Sequence, residues 1–260
     1  MWETVIHSTL NLCVCRRMNQ NMIDIHCHLL PNVDDGPTSW EESLEMARIA
    51  SHDGIRIAVT TPHWIQRTKW EPSPNEIKKK VEELNNKLKE NEITITILPG
   101  MEVGISENLP KLVSSGEVLT LGDSDYLLIE IPFVSLPFGI EEIIFNLKVM
   151  GIYPILAHPE RNQQLQKNPR RILELVNAGA FIQVTAGSFC GHFGEQAKRC
   201  VIQFAKLGVL HAVASDAHSV KERTPILTSG LKILEEFIGK EQLQLLLANT
   251  YRFIGMESVI

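Results

Sequence analysis

The amino-acid sequence predicts an α/β fold in which parallel strands alternate with helices, and two patterns support this class. From Met22 onward, short apolar β-rich runs alternate with amphipathic helical stretches, as in parallel strands joined by helical crossovers. Side chains able to bind metal follow most of these runs, as expected at the carboxyl ends of barrel strands. The length of 260 residues suits one α/β barrel or two small domains. No Pro/Ser-rich linker divides the chain, so residues 22–260 are predicted to form one domain.

The predicted elements can be placed in order along the chain. Seven strands are expected, at residues 22–27, 55–60, 93–98, 126–131, 152–157, 180–185 and 210–214. Thr38 with Glu41 predicts a capping box at the start of the first helix. Ser73 with Glu76 predicts another, and Pro74 occupies the favoured first helical position.

Charge and cysteine content exclude several classes of function. Lys and Arg total 25 against 31 Asp and Glu, and the net charge of −6 argues against capture of nucleic acid or anionic membranes. No uninterrupted apolar stretch is long enough to span a bilayer, so membrane insertion is not expected. The five cysteines lack zinc-finger spacing and indicate a reduced, cytoplasmic protein. In residues 1–21 the basic pair Arg16-Arg17 follows the apolar stretch, the reverse of a signal peptide, which predicts a loose extension or a misassigned start.

The motif His26-Cys27-His28 ends the first predicted strand. Side chains two residues apart point to the same side of a strand, so the two imidazoles can bind one cation. Cys27 then points away and is expected to pack as a small apolar residue. Later rim positions add further imidazoles and carboxylates, namely His63, Glu102, Glu130, His158, Asp216 and His218. Glu102 and Glu130 each end an apolar run, where a carboxylate is costly unless it is paired or bound to a cation.

The mixture of imidazole and carboxylate, without clustered thiolates, suits Mn²⁺, Fe²⁺ or Zn²⁺. Several carboxylates imply more than one cation, and ions about 3.5–4 Å apart can activate a water and stabilise an in-line phosphoryl displacement. Arg161 and Arg223 lie close to rim motifs, where a guanidinium can contact two phosphate oxygens. A surface ion pair is the alternative for each. The turn Asp34-Asp35-Gly36-Pro37 is explained by turn formation and capping alone.

No cysteine has an arginine at the spacing that a thiolate phosphatase needs, which disfavours a covalent cysteine mechanism. His192 lies in a glycine-flanked segment after the sixth predicted strand. It can belong to a loop over the site or be a plain surface histidine.

The rim motifs IDIHCHLLPNVDDGP, TPH, PGMEV, LIEIP, AHPER and ASDAH resemble, in order, those of the polymerase-and-histidinol-phosphatase (PHP) superfamily. More closely, the chain resembles the bacterial tyrosine-protein phosphatases of capsule and exopolysaccharide operons. The resemblance implies a distorted seven-stranded (β/α) barrel of the PHP (TIM-barrel-like) type. It also implies a trinuclear centre, commonly of Mn²⁺.

The resemblance also implies roles for individual residues. The first ion would be held by His26, His28, Glu102 and Asp216. The second would share Glu102 and add Glu130 and His158. The third would be held by Asp35, His63 and His218, which makes Asp35 a ligand instead of a cap. Arg161 and Arg223 would contact the substrate phosphate.

The implied substrate is phosphotyrosine, on the tyrosine-rich tail of a bacterial autokinase that controls capsule or exopolysaccharide synthesis. The implied reaction is attack of a metal-activated hydroxide on phosphorus. Two alternatives remain open at this point. One is another PHP phosphomonoesterase, such as a histidinol-phosphate or nucleotide phosphatase, and the other is a catalytically silent metal-binding regulator.

Overall fold

Short parallel strands form the centre of the structure, a computed structural model that describes residues 21–257. Residues 1–20, which make up nearly all of the predicted extension, lie outside this part of the chain. The described strands are β1 (Met22–Cys27), β2 (Ile55–Thr60), β3 (His63–Trp64), β4 (Thr96–Pro99), β5 (Glu102–Gly104), β6 (Tyr126–Glu130), β7 (Tyr153–Ala157), β8 (Phe181–Thr185) and β9 (Ala212–Ala214).

Helices connect and cover these strands. They are α1 (Trp40–Asp53), α2 (Pro74–Glu90), α3 (Leu109–Ser114), α4 (Ile140–Val149), α5 (Gln163–Lys167), α6 (Ile172–Ala178), α7 (Ala186–Cys190), α8 (Gly194–Lys206) and α9 (Thr228–Phe253). Within residues 21–257, no helix combines the length and the apolar character needed to cross a bilayer.

The strands form two sheets, and every pairing between them is parallel. One sheet has the order β1-β2-β4 and the other has the order β3-β5-β6-β7-β8-β9. The predicted α/β class with parallel strands is therefore confirmed. No closed sheet is found among the described residues, and nine strands replace the predicted seven.

The two additional strands arise where the chain passes from one sheet to the other. After β2 the chain enters β3 through Pro62, which has no N–H to donate to a ladder. After β4 it enters β5 through Gly100 and Met101. Each of these two predicted strands is thus followed by a short strand of the second sheet, which was not predicted.

The free edges of the two sheets meet at β1 and the segment after β9. Cys27 and Ala217 form an isolated parallel bridge. The His28 N–H donates to the Ala217 carbonyl at 2.8 Å. The Ser215 N–H donates to Asp24 Oδ1 at 3.0 Å, which links residues far apart in sequence. These bonds bring β1 beside the segment that follows β9.

Two apolar clusters support the strands. The smaller one lies among the strands and contains Ile23 and Ile25 of β1 together with Tyr126 and Phe253. The larger one lies between strands and helices and contains Cys27. All six residues of β1 are buried, which explains why the strand is an apolar run interrupted only by Asp24 and His26.

The helix starts follow the predicted chemistry, with one shift. The N-cap of α1 is Ser39, which accepts from the Glu42 N–H at 3.2 Å, so the predicted pair Thr38 and Glu41 is wrong by one residue. The sequence fits the capping-box pattern in both registers, and the Thr38 N–H bonds to Glu42 Oε2. The N-cap of α2 is Ser73, as predicted.

Helix α9 packs closely against α7 through Gly230. A Cβ atom built on Gly230 would lie 2.4 Å from the carbonyl oxygen of Ala186. Further along, Gly239 takes a φ of 77° and interrupts the helical conformation. The close approach at Gly230 requires the absence of a side chain.

Candidate metal centre

The strand ends bring the predicted metal-binding side chains to one place. His26 is in β1, His63 opens β3, Glu102 opens β5 and Glu130 ends β6. The remaining members lie in the segments after β1, β7 and β9, and they are His28, Asp35, His158, Asp216 and His218. Because the strands are parallel, the loops that follow them open on the same side.

The ligand atoms in this cluster form four overlapping groups, and within each group they lie within 4.8 Å of one another. The groups are His28, Asp35, His63 and His218; His26, His28 and Glu102; His26, His158 and Asp216; and His63, Glu102 and Glu130. They contain all nine side chains predicted as ligands but do not reproduce the predicted sets one for one.

Glu102 occupies the middle of the cluster and is fully buried. Its Oε1 lies 2.8 Å from His158 Nε2, and its Oε2 lies 3.0 Å from His63 Nδ1 and 3.3 Å from His26 Nε2. Burial would raise the pKa of this carboxyl, but the charges of His26 and His63 hold the pKa well below its usual range. Glu102 is therefore an anion surrounded by imidazoles.

Asp216 divides its two oxygens between different partners. Its Oδ1 lies 3.4 Å from His26 Nε2 and 3.5 Å from His218 Nδ1. Its Oδ2 lies 2.5 Å from Arg223 Nη2 and also accepts from Arg161. Burial would raise the pKa of Asp216, but chiefly the charges of Arg161 and His26 hold it well below its usual range.

The backbone at two of these positions takes an uncommon conformation. The φ angles of His158 and Asp216 are 34° and 51°, in the left-handed region that favours glycine. Such strain concentrates at functional sites, where surrounding contacts maintain it. Here it follows immediately after β7 and shortly after β9, and it turns both side chains into the cluster.

Several buried polar atoms of the cluster lack a hydrogen bond. They are His63 Nδ1, Glu102 Oε2, Asp216 Oδ1 and His218 Nε2. Buried polar groups are normally satisfied, and imidazole nitrogens and carboxylate oxygens are ordinary ligands of Zn²⁺, Fe²⁺ and Mn²⁺. The residues therefore fit divalent cations.

The protonation states of His158 and His218 are compatible with metal binding, whereas, acting against burial, the Asp34 carboxylate raises the pKa of His28 to about 10. Burial, followed by the charge of Arg161, lowers the pKa of His158 to about 4. Burial and the charge of His28 lower the pKa of His218 to about 4. Both imidazoles are neutral at pH 7, the form that binds a metal. Burial and the charge of Glu102 raise the pKa of Glu130 to about 7, as expected for neighbouring carboxylates without a cation between them.

Two positioning residues, Asp34 and Gln183, are missing from the sequence prediction. Asp34 Oδ2 lies 2.6 Å from His28 Nδ1, and Gln183 Oε1 lies 2.8 Å from His26 Nδ1. Each contact directs the remaining nitrogen, Nε2, into the cluster. Asp34 also accepts a hydrogen bond from the Gly36 N–H, as a turn residue does. Because turn formation already explains an aspartate here, its role in orienting His28 could not be recognised from the sequence. For Gln183, the sequence signal that could have been used is an amide side chain within the mainly apolar strand β8.

The two predicted arginines reach the edge of the cluster. Arg161 donates to Thr185 Oγ1 at 2.7 Å, and its guanidinium carbon lies 3.5 Å from the centre of the Phe193 ring. Both Arg161 and Arg223 pair with the buried Asp216, so neither makes the surface ion pair considered as the alternative. The Phe193 contact could not be inferred without the spatial arrangement.

The two remaining candidates, Cys27 and His192, do not belong to the ligand groups. Cys27 is fully buried, and burial raises the pKa of its thiol well above the usual value. Its Sγ donates to the Val59 carbonyl, 3.4 Å away. It packs as the predicted apolar residue. His192 is exposed and lines a cavity of about 280 Å³ that also includes Phe193 and Arg223.

A buried set of imidazoles and carboxylates beside two guanidiniums defines a metal-dependent hydrolase of phosphate esters as the class of protein. The model of the CpsB/CapC family, described as capsular polysaccharide synthesis, matches residues 22–254. The chain therefore belongs to the CpsB/CapC family, and the predicted resemblance is confirmed.

Relatives of known structure or name agree with this class. Tyrosine-protein phosphatase YwqE of Bacillus subtilis is 38% identical over 238 residues, covering 92% of this chain and 93% of that protein. Tyrosine-protein phosphatase CpsB of Streptococcus pneumoniae is 29% identical, covering 92% of this chain and all of that protein. A chain from the crystal structures of these two proteins, described as unique metal-dependent tyrosine phosphatases, superposes with a TM-score of 0.85 at 35% identity. That superposition covers 92% of this chain and 96% of the other.

Proposed function

We propose that this protein is a metal-dependent protein-tyrosine phosphatase. The observation that carries the proposal is the position of Asp216 between the imidazoles and the two arginines. It places groups that bind cations next to groups that bind phosphate oxygens. The named activity of the relatives, which cover nearly the whole chain, favours phosphotyrosine as the substrate.

The nine clustered side chains would hold two or three divalent cations, with Mn²⁺ as the proposed metal and Fe²⁺ or Zn²⁺ as other candidates. The proximity of Asp35, His63 and His218 supports the ion assigned to these three residues. Glu102 contacts both His26 and His158, as expected of a carboxylate shared by two ions. When bound, the cations supply Lewis acidity and the activation of water for attack on phosphorus.

The protein's own side chains bind and orient the phosphate. Arg161 and Arg223 approach one carboxylate oxygen of Asp216 from the edge of the cluster, so both can reach phosphate oxygens beside it. Their fixed charges favour the bound phosphate and the negative charge on its three equatorial oxygens in the transition state. Asp34 and Gln183 hold two of the imidazoles in the required orientation.

We also propose that the two sheets together form a distorted (β/α) barrel of the PHP type. The Cys27–Ala217 bridge and the hydrogen bond from the Asp216 N–H to the His26 carbonyl, at 2.8 Å, support this arrangement. They join the free edge at β1 to the segment that follows β9.

We further propose a cytoplasmic location and, as substrate, the phosphotyrosine tail of a bacterial autokinase that controls capsule or exopolysaccharide synthesis. The capsule family supports this partner. The free thiols of Cys27, Cys190 and Cys200 are compatible with a reducing compartment.

The test compares turnover of a phosphotyrosine peptide with turnover of histidinol phosphate and a nucleoside monophosphate, with the metal content measured on the same sample. We expect the phosphotyrosine peptide to have the highest kcat/KM and a chelator to abolish its hydrolysis. A higher kcat/KM for histidinol phosphate or the nucleotide would instead identify another phosphomonoesterase. Metal-loaded protein without turnover of any substrate would indicate a silent regulator.

A further inference from the structure

Two aromatic side chains, Phe133 and Trp70, lie against imidazoles of the metal centre. The Phe133 ring stacks on His158, with 5.8 Å between ring centres and 16° between planes. The Trp70 ring stacks on His63, with 5.1 Å between ring centres and 20° between planes. These imidazoles contact different oxygens of Glu102. The two aromatic rings therefore border the centre at two separate places.

Phe133 is exposed although its backbone is held in place. Its side chain is 48% accessible beyond the contact with His158, and exposure of this apolar surface to water is unfavourable. The Gln163 N–H donates to the Phe133 carbonyl at 2.7 Å, and Asn162 Nδ2 donates to the Pro132 carbonyl at 2.6 Å. The loop that carries Phe133 is thus tied to the residues that directly follow Arg161. The ring and the proposed phosphate contact are positioned by the same segment.

Trp70 is held in a comparable way. The Ile65 N–H donates to the Trp70 carbonyl at 2.7 Å, and the Trp70 N–H donates to Thr68 Oγ1 at 3.1 Å. The indole is partly exposed. Its turn therefore presents a second ordered aromatic surface, next to His63.

We propose that Phe133 and Trp70 contact the phenyl ring of phosphotyrosine and select aryl phosphates over alkyl phosphates. The inference rests on the proposed function. When the phosphate is bound at the metal centre and Arg161, the phenyl group must extend outward past the side chains that border the centre. Pairs of aromatic rings are stabilised by more than the apolar surface area that they bury. An alkyl phosphate has no ring that could pair with these two side chains. In this proposal Phe133 and Trp70 determine specificity and take no part in the chemical step.

The experiment measures competitive inhibition by phenylphosphonate and by methylphosphonate, together with kcat and KM on a phosphotyrosine peptide. The variants are Phe133→Ala, Phe133→Tyr and Trp70→Leu, each checked for metal content. We expect Phe133→Ala and Trp70→Leu to weaken phenylphosphonate inhibition about three- to tenfold. Inhibition by methylphosphonate should stay unchanged in both variants, while KM for the phosphotyrosine peptide rises. Phe133→Tyr should retain the parental values.

Phe138→Ala is the matched control, because Phe138 lies on the same loop and its ring is fully exposed. It should leave both inhibition constants unchanged. If the Phe133 and Trp70 variants weaken both phosphonates equally, or weaken neither, the aromatic contact is wrong. If the parent enzyme itself fails to hydrolyse phosphotyrosine peptide while hydrolysing another monoester, the proposed function is what fails.

Discussion

Arg161 donates a hydrogen bond to Oδ2 of Asp216, a residue 55 positions further along the chain. The other oxygen of Asp216 faces imidazoles. One carboxylate thus connects the part of the site suited to cations with the part suited to phosphate.

Arg161→Lys should retain folding and metal content but lower kcat/KM on phosphotyrosine peptide roughly ten- to a hundredfold. Lysine keeps the charge but loses the paired donors, and a charge-assisted hydrogen bond contributes about 1.5–3 kcal/mol. Steady-state kinetics and metal analysis check this. Arg171→Lys is the control, because Arg171 pairs with Glu141 and Glu174 away from the site. Parental activity in Arg161→Lys, or a defect explained entirely by missing metal, would contradict the phosphate contact.

Removal of bound metal should abolish hydrolysis, and Mn²⁺ should restore it, because water is too weak a nucleophile at neutral pH without a cation. His26→Ala should lose both metal and activity, since His26 belongs to two of the four ligand groups. His52→Ala, at the exposed end of α1, is the control. Elemental analysis and activity are measured on the same samples. Full activity after verified removal of metal would exclude the proposed mechanism.

Asp34→Asn should weaken metal binding about ten- to a hundredfold, the usual effect of losing a carboxylate that orients an imidazole ligand. Asp34 accepts from His28 Nδ1 and from the His63 and Gly36 N–H groups, so an amide places a donor against a donor. Competition with a chelator of known affinity measures the change. An unchanged affinity in the folded variant would remove Asp34 from the positioning role. The control is Asp125→Asn, because Asp125 is exposed.

Cys27→Ser should retain substantial phosphatase activity, because the thiol is buried and donates to the Val59 carbonyl. Burial keeps the pKa of this thiol high and disfavours the thiolate. The comparison is made at equal metal content. Loss of activity in well-folded, metal-loaded protein would return the cysteine to the mechanism.

Gly230→Ala should destabilise the fold by about 1–3 kcal/mol, as overpacking does, because the added Cβ would collide with the backbone of Ala186. Denaturant unfolding measures the change. Gly104→Ala is the control, since a Cβ there would have no neighbour closer than 3.6 Å. Equal stability of the two variants would mean that α9 can move away from α7 at no cost.

The sequence predicted the strands whose signals are local. The strand at Met22–Cys27 was placed correctly because its apolar run and its histidines coincide. The short strand at Glu102–Gly104 was missed because it exists only through pairing with β3 and β6, which no local pattern encodes. Similarly, Thr38 and Ser39 offer equally good capping patterns, and only the structure distinguishes them.

The proposed ligands could be selected from the sequence because imidazoles and carboxylates at strand ends are chemically distinctive. All nine predicted ligands lie in the cluster. Gln183 and Phe193 were not predicted, since a glutamine in a strand or a phenylalanine in a loop is ordinary until its neighbour is known. The contacts of these residues with His26 and Arg161 are tertiary properties.

The junction between β1 and the segment after β9 also determines when the centre can exist. Asp24 and Ser215, which hydrogen bond there, are 191 residues apart. During synthesis, His26 and His28 emerge long before Asp216 and His218, and contacts of such sequence separation slow folding. A ribosome that stalls before residue 215 releases a product with the opening histidine motif but without a complete centre. Hydrolysis therefore requires a chain that has been translated at least as far as His218 and has folded.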